Sequence, residues 1–332
     1  MKAVVVGIAL TLLAAHTHAK LEPIADEELS QYTGQAFLQI DNNNVGNMDF
    51  TRFTFGMDVE TLLTSDLVEL GRYERSGEPA GSSDIRINDF ALGSINADGS
   101  INPFKIRDPF VELAYETVGS GANAQENLVG VRLGFGEAFG KLTGNIEYLT
   151  GNIEVEIYGK GSYLASQMSC SWWDLVCAGA KGLVGGTWAN DDFSAQAVLI
   201  NPSNGEPDGI RATHVGMQDG QTLSIPNGSG FTNFLLGIFS SSNCELLNVQ
   251  TCFPLSIYRT LDIGNRDTGA PAQGMFMSFQ TKTVTWYDGG NGTNATQGAF
   301  MNIPNGGIRT SFQEAFDGTE RVRTKFLDPY YD

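Results

Sequence analysis

Histidine is the scarcest of the chemically versatile residues in this chain of 332 residues. Only three are present, and two of them, His16 and His18, lie within the first 19 residues. Zinc sites built from several histidines are therefore excluded, and a Ser-His-Asp triad would depend on His214 alone. No Gly-x-Ser-x-Gly nucleophile motif accompanies that histidine. We expect a protein that is not an enzyme; the alternative is a secreted hydrolase that uses two carboxylates, although no two acids stand out.

Basic residues are also few. The chain has 20 Lys and Arg against 38 Asp and Glu, a net charge of −18. Phosphate backbones and anionic membrane surfaces would repel such a protein, so we expect no nucleic-acid partner. Charged residues make up only 17% of the chain, while Gly and Phe number 40 and 20. This composition is typical of many short strands joined by turns, and it predicts a mainly β protein.

Long apolar runs are limited to one segment at the beginning of the chain. Lys2 is followed by the apolar stretch Ala3–Ala15, in which Thr11 is the one polar residue, and by the small-residue sequence Thr17-His18-Ala19. The stretch is too short to span a bilayer, and the order of its parts is that of an export signal. We therefore interpret residues 1–19 as a signal peptide, with Lys20 as the first mature residue and no transmembrane span after it. The protein is expected at the cell surface or outside the cell, with the periplasm as an alternative.

Cysteines are rare and lie in two close pairs, Cys170 with Cys177 and Cys244 with Cys252. In an exported chain this pattern favours two local disulfides, although three connectivities remain open. On one continuous helix Cys170 and Cys177 would be about 10 Å apart along the axis, which is beyond disulfide reach. Either that segment bends, or the partners lie elsewhere.

The rest of the chain divides by composition. Residues 20–35 predict a short N-terminal helix, residues 36–161 a β-region punctuated by glycine, residues 162–190 a segment rich in Trp and Cys, and residues 191–332 a second β-region. Leu142–Tyr148 and Leu149–Val155 repeat the pattern Leu-Thr-Gly-Asn-Ile-Glu. Because the period of seven is odd, we expect a corner or bulge at each Gly-Asn. The fold class is therefore a β-solenoid-like or stacked β-sheet region followed by a β-sandwich-like half.

Individual strands are predicted from alternating apolar residues. The clearest are Ile85–Phe90, Phe110–Tyr115, Val129–Phe135, Val155–Tyr158, Phe193–Ile200, Phe231–Phe239 and Arg309–Phe316. Thr61–Tyr73 fits a strand or a short amphipathic helix. The polar stretch Asp41–Asp49 reads as a loop.

That polar stretch also contains the best candidate for a metal site. Asp41, Asn43 and Asp49 surround Gly46 with oxygen ligands, as in the first part of a calcium loop. The position where a bidentate acid belongs is occupied by Arg52. Calcium is the one cofactor that the sequence suggests, and a polar turn is the alternative.

The tryptophans are the candidates for ligand contact. Trp172, Trp173 and Trp188 lie in the Trp and Cys segment, and Trp286 lies in the second β-region. Their rings offer stacking surfaces for a carbohydrate or an apolar ligand, or for a membrane interface. The alternative interpretation of the segment is a helix that covers the core or a flap tied by a disulfide.

The residues after the signal peptide resemble known processing sites. Glu28-Leu29-Ser30 followed by Gly34 resembles the leader peptides that C39-type cysteine peptidases cut after two small residues, although Gln35 stands in the second small position. The same Leu-Ser-x-x-Thr-Gly-Gln sequence is similar to secreted β-rich proteins of Gram-negative bacteria that are associated with Fil-type pilus systems. The resemblance implies recognition through Leu29 and Ser30, a cut between Gly34 and Gln35, and a C39-type peptidase as a partner.

Taken with the missing catalytic groups, this resemblance predicts an exported surface protein that is not an enzyme. We expect a filament-associated, adhesive or biofilm-matrix component, with other surface or filament proteins as partners and with self-association. The first alternative is an extracellular or periplasmic binding module for an apolar or carbohydrate ligand.

Overall fold

The computed structural model describes residues 37–224 and 239–324. The predicted signal peptide, the predicted helix of residues 20–35 and the processing residues Leu29, Ser30, Gly34 and Gln35 lie outside the described residues. The same holds for almost all of the predicted strand Phe231–Phe239.

The described chain is mainly β, which confirms the predicted fold class. In the first half the strands are β1 (Leu38–Val45), β2 (Met48–Phe55), β3 (Asp58–Thr61), β4 (Leu63–Arg72), β5 (Ser83–Leu92), β6 (Ser94–Ile95), β7 (Ile101–Asn102), β8 (Phe104–Val118), β9 (Gln125–Leu149) and β10 (Gly151–Lys160). In the second half they are β11 (Asp192–Ile200), β12 (His214–Gly216), β13 (Glu245–Leu246), β14 (Val249–Gln250), β15 (Cys252–Pro254), β16 (Thr260–Ile263), β17 (Ala272–Gln273), β18 (Phe276–Gln280), β19 (Val284–Asp288), β20 (Asn291–Ala295) and β21 (Gly298–Ser311).

Helical segments are short. Helix α1 is Gly161–Gln167, α2 is Leu175–Gly182 and α3 is Phe312–Asp317. A π-helical turn, Leu183–Thr187, follows α2 directly, and 3-10 turns occupy Gly121–Asn123 and Leu255–Ile257.

Strand β9 organises the sheet because both of its edges are paired. Its first part lies between β8 and β18, and its second part lies between β5 and β16. Strands β16 and β18 also pair with β21, which in turn runs parallel to β10. Strands from both halves of the sequence thus alternate in one 15-stranded sheet. The predicted division at residue 191 is not a boundary between structural units, since strands on either side of it hydrogen-bond to each other.

The predicted repeat corresponds to two irregularities in the sheet. The register of β5 against β9 shifts around Gly144, where Asn145 pairs with Asn88 but Thr143 pairs with Ala91. At the second Gly-Asn the chain passes from β9 to β10. Antiparallel pairs dominate the region, so the stacked-sheet form of the prediction applies and the parallel coils of a solenoid do not.

Two local predictions were wrong. The stretch Asp41–Asp49 is not a loop but the tip of the β1–β2 hairpin, and only Gly46 and Asn47 form its turn. Gly46 has a φ of +67°, as the first position of a two-residue hairpin turn requires. The predicted strand Arg309–Phe316 becomes helix α3 after Ser311, because Ser311 and Glu314 form a reciprocal capping box.

The two main hydrophobic cores of the described residues lie against the sheet. The larger contains the inward side chains of β5, β9, β10, β11 and β21, and helices α1, α2 and α3 contribute to it. Alternate residues of β11 show the pattern clearly, since Phe193, Ala195, Ala197 and Leu199 are all buried. The smaller core forms where the β19–β20 hairpin packs through Trp286 onto Phe50, Ala114 and Phe300.

Candidate functional site

Four of the most exposed large apolar side chains of the described residues lie together before and at the start of α2. Trp172 is 86% exposed and Trp173 68%, and Leu175 and Val176 are 81% and 59% exposed. The two indole rings contact each other edge to face, with centroids 5.2 Å apart. We call Ser171–Val176 the Trp knob. Its four apolar side chains expose on the order of 500 Å² of surface. This area is near the upper end of the size range of the largest apolar patch on an ordinary monomer.

A disulfide and two hydrogen bonds fix the conformation of the Trp knob. Cys170 and Cys177 form a disulfide with Cα atoms 5.4 Å apart, so the segment bends as the helix geometry required. Asp174 caps α2 by accepting a hydrogen bond from the Cys177 N–H at 2.9 Å. At the far end of α2, Lys181 donates to the Met168 carbonyl at 2.7 Å. The loop that carries the tryptophans is therefore closed at both ends.

The second disulfide, Cys244–Cys252, adjoins the first. It closes the loop that contains the β13–β14 hairpin, and the Leu247 carbonyl of that loop lies 3.6 Å from Cys177 Sγ. Asn248 donates to the Ser169 carbonyl at 3.4 Å. Both predicted local disulfides thus form, and the second loop supports the first. Burial of Leu246 and Val249 anchors the supporting loop in the larger core.

The four predicted stacking tryptophans do not form one site. Trp172 and Trp173 point outward, whereas Trp188 packs against Phe193 and Phe239 with ring centroids 6.4 Å away from each. Trp286 is fully buried beneath the β19–β20 hairpin. Trp172 and Trp173 can therefore stack on a ligand, whereas Trp286 is a core residue.

The predicted calcium ligands are likewise separated. Directly opposed residues in an antiparallel pair point to the same face, and Asp49 is opposite Asn44. Asp41 and Asn43 alternate with Asn44 along β1 and so point to the other face. Asp49 accepts hydrogen bonds from Asn44 at 2.7 Å and Thr117 at 3.2 Å. Within residues 37–224 and 239–324, no group of three acidic, Cys or His side chains could hold a metal.

His214 begins β12 and does not sit in a reactive arrangement. Its Nδ1 lies 2.9 Å from the Thr213 hydroxyl, and partial burial lowers the pKa of the imidazole. A neutral ring beside a threonine fits the interpretation of His214 as a strand residue.

A buried cluster of charged side chains lies under the β19–β20 hairpin. The sequence pattern did not predict this cluster. The guanidinium of Arg132 is fully buried, donates to Glu112 at 2.6 Å and Asp288 at 2.8 Å, and lies over the rings of Phe110, Phe276 and Trp286. Burial lowers the pKa of Arg132, against the raising effect of Glu112 and Asp288. Every charge is paired, so the cluster fixes the hairpin to the sheet and offers no free acid or base.

The strand glycines make this packing possible. The motif Gly134–Lys141, which superficially resembles a phosphate loop, lies inside β9. A Cβ on Gly134 would collide with the Phe110 ring, and one on Gly130 would reach 2.9 Å from Trp286. These glycines accommodate aromatic rings.

An apolar cavity of about 60 Å³ lies in the larger core, lined mainly by Ile and Leu side chains of β9, β10 and β21. Arg266, Asp262 and Glu314 line its polar side, and Arg266 donates to Glu314 at 2.6 and 2.9 Å. Partial burial raises the pKa of Glu314, but bonds from Arg266 and Ser311 outweigh it and hold that pKa at about 2. A dry cavity of roughly 150 Å³ is needed to admit benzene. This cavity is therefore a gap in the packing, too small for a lipid or a sugar.

Comparison with known proteins finds no relative. No family model, curated protein or solved structure matches the chain. Among the described residues, no helix is both long and apolar enough to cross a bilayer. The function must therefore be inferred from the site geometry, and the Trp knob is its most pronounced feature.

Proposed function

We propose that this chain is an exported, non-enzymatic attachment protein that uses the Trp knob to bind an apolar surface of another cell-surface or filament protein. The observation that carries the proposal is the exposure of four large apolar side chains on a loop that a disulfide, a helix cap and a second disulfide loop hold in place. The largest exposed apolar patch on a monomer is often a functional surface. A rigid loop also loses little conformational entropy on binding, which favours affinity.

The charge of the chain favours a protein partner over a membrane. Helices that lie in membrane interfaces usually present Lys and Arg to anionic headgroups. At the Trp knob the basic residue nearest in sequence is Lys181, which is engaged with the Met168 carbonyl, and Asp174 is acidic. The overall charge of −18 adds repulsion from an anionic leaflet.

Fractionation of the cells that make the protein tests this function. The mature protein is expected to sediment with washed cell-surface material and to enter the soluble fraction when the surface layer is sheared off. Two intact disulfides should be present, as an exporting compartment provides them. Recovery of the protein only as a soluble periplasmic monomer would overturn the proposal.

We also propose that a second cleavage after Gly34 follows export, as the resemblance to C39-type substrates implies. Such a cut removes no described residue, because the described fold begins at Phe37. The intact mass of the surface-attached protein is expected to correspond to a chain that starts at Gln35. A mass that corresponds to a start at Lys20 would refute the second cleavage.

The binding-module alternative has no support from the cavity, whose volume of about 60 Å³ excludes a fatty acyl chain or a sugar ring. A carboxylate hydrolase has no support either, since the buried and cavity-lining acids Glu112, Asp288 and Glu314 are each paired with arginine.

A further inference from the structure

We propose that two copies of this protein pair through strand β1, antiparallel and about a two-fold axis at Asn42, so that the sheet continues from one molecule into the next. This interaction is separate from the Trp knob. It concerns the outer edge of the sheet, where β1 pairs with β2 on one side and no other described strand pairs with it.

Strand β1 lacks the devices that usually protect a sheet edge. Its eight residues pair with β2 without a register shift, and all eight are exposed. Within it there is no lysine or proline, and Asp41 is its one charged residue. Native edges are normally blunted by charges, prolines, bulges or short length. Elsewhere in the described sheet, the peripheral strand β4 carries Asp66, Glu69 and Arg72, and β3 and β15 are only four and three residues long.

The backbone of β1 determines which residues can bond to a new strand. Gly56 donates to the Phe37 carbonyl at 3.1 Å, and this pair continues the β1–β2 register. Odd-numbered residues of β1 therefore bond to β2, because hydrogen-bonded pairs alternate along an antiparallel ladder. The N–H and C=O groups of Leu38, Ile40, Asn42 and Asn44 point to the open edge.

Two-fold symmetry restricts the register of a second copy. An axis perpendicular to the sheet keeps the faces of both copies aligned, so the even residues of one β1 must pair with the even residues of the other. Two registers give the longest overlap. One places Asp41 opposite Asp41 of the second copy, which like-charge repulsion disfavours. The other places Asn42 opposite Asn42.

The register centred on Asn42 is chemically complementary. It sets Asp41 opposite Asn43 of the second copy, twice by symmetry, so that each amide can donate to a carboxylate. Ile40 then pairs with Asn44 of the second copy, and the overlap forms about six backbone hydrogen bonds. The polar sequence of β1, which looked like a loop, is thus suited to amide pairing between strands.

Single cysteines test the register, since both disulfides of the described chain are already formed and no free cysteine is present there. Asn42→Cys places two thiols across the axis at a Cα separation of about 5.5 Å, within disulfide reach. The matched control Asn44→Cys separates the thiols by roughly 14 Å. We expect a covalent dimer from Asn42→Cys on a non-reducing gel and a monomer from Asn44→Cys.

A second variant tests the backbone contact without a new thiol. Asn42→Pro removes an N–H that β2 does not use, so the hairpin is expected to form while self-association weakens by at least about tenfold. Asn42→Thr keeps the N–H and should associate like the native protein, as measured by sedimentation. Equal cross-linking of the two cysteine variants, or an Asn42→Cys protein that stays monomeric, would overturn the inference.

Discussion

Replacing Trp172 and Trp173 together with serine lowers the affinity of the protein for cell-surface material by at least about 100-fold. The two rings supply most of the apolar area of the Trp knob, and tryptophans at the centre of an interface commonly carry about 2 kcal/mol or more each. Binding of the purified protein to washed surface material from cells that lack it measures the effect. The folded state should not change, because substitutions at such exposed positions alter stability by less than about 0.5 kcal/mol.

The matched control is Ile101→Ser. Ile101 is 63% exposed, a fraction similar to the 68% of Trp173, but it lies on the β6–β7 hairpin and outside both disulfide loops. This variant should bind like the native protein. If it loses as much affinity as the double Trp variant, the attachment depends on general surface hydrophobicity and the Trp knob has no special role.

Replacing Arg132 with methionine destabilises the protein by about 3–5 kcal/mol, the cost of breaking a buried ion pair by removing one partner. Glu112 is left with a side chain that is 7% exposed and with Arg52 as its remaining cation, 3.4 Å away. Methionine fills much of the space between the aromatic rings, so the loss arises mainly from the Glu112 carboxylate, which keeps only the more distant Arg52 as a partner. Urea unfolding monitored by fluorescence measures the change in the free energy of unfolding.

Two further variants separate charge from volume. The double variant Arg132→Met with Glu112→Leu also removes the carboxylate that has lost its main partner. This double variant should therefore be more stable than Arg132→Met alone. Arg107→Met breaks pairs with Asp58 and Glu137 at the surface, where Arg107 is 57% exposed, and should destabilise the protein much less than Arg132→Met. A loss below 1 kcal/mol for Arg132→Met would show that the cluster does not hold the β19–β20 hairpin.

The sequence predicted the strands well where apolar residues alternate. Strands β5, β8, β9, β10 and β11 contain the predicted runs, because a half-buried sheet requires a period of two. It failed where polar residues form a strand. Strand β1 is exposed on both faces and is polar from Asp41 to Asn44. No apolar pattern marks that part of the strand, and only the Gly46-Asn47 turn signals a hairpin.

Sequence patterns identified the Trp knob residues but not their exposure. Apolar residues near cysteines fit a core helix as well as an exposed loop, and the direction in which they point depends on how Cys177 and Ala180 anchor α2. The charge cluster could not be predicted from the sequence, for a different reason. Arg132 is 20 residues from Glu112 and 156 from Asp288, and such pairings follow from the topology of the sheet.

The central claim is that the Trp knob becomes buried when the protein attaches. Acrylamide quenching tests it directly, because Trp172 and Trp173 are exposed in the free protein whereas Trp188 and Trp286 pack in the cores. On attachment to cell-surface material, the readily quenched component of the fluorescence should disappear and the emission should shift to shorter wavelength. Attached protein that is quenched as readily as free protein would contradict the claim.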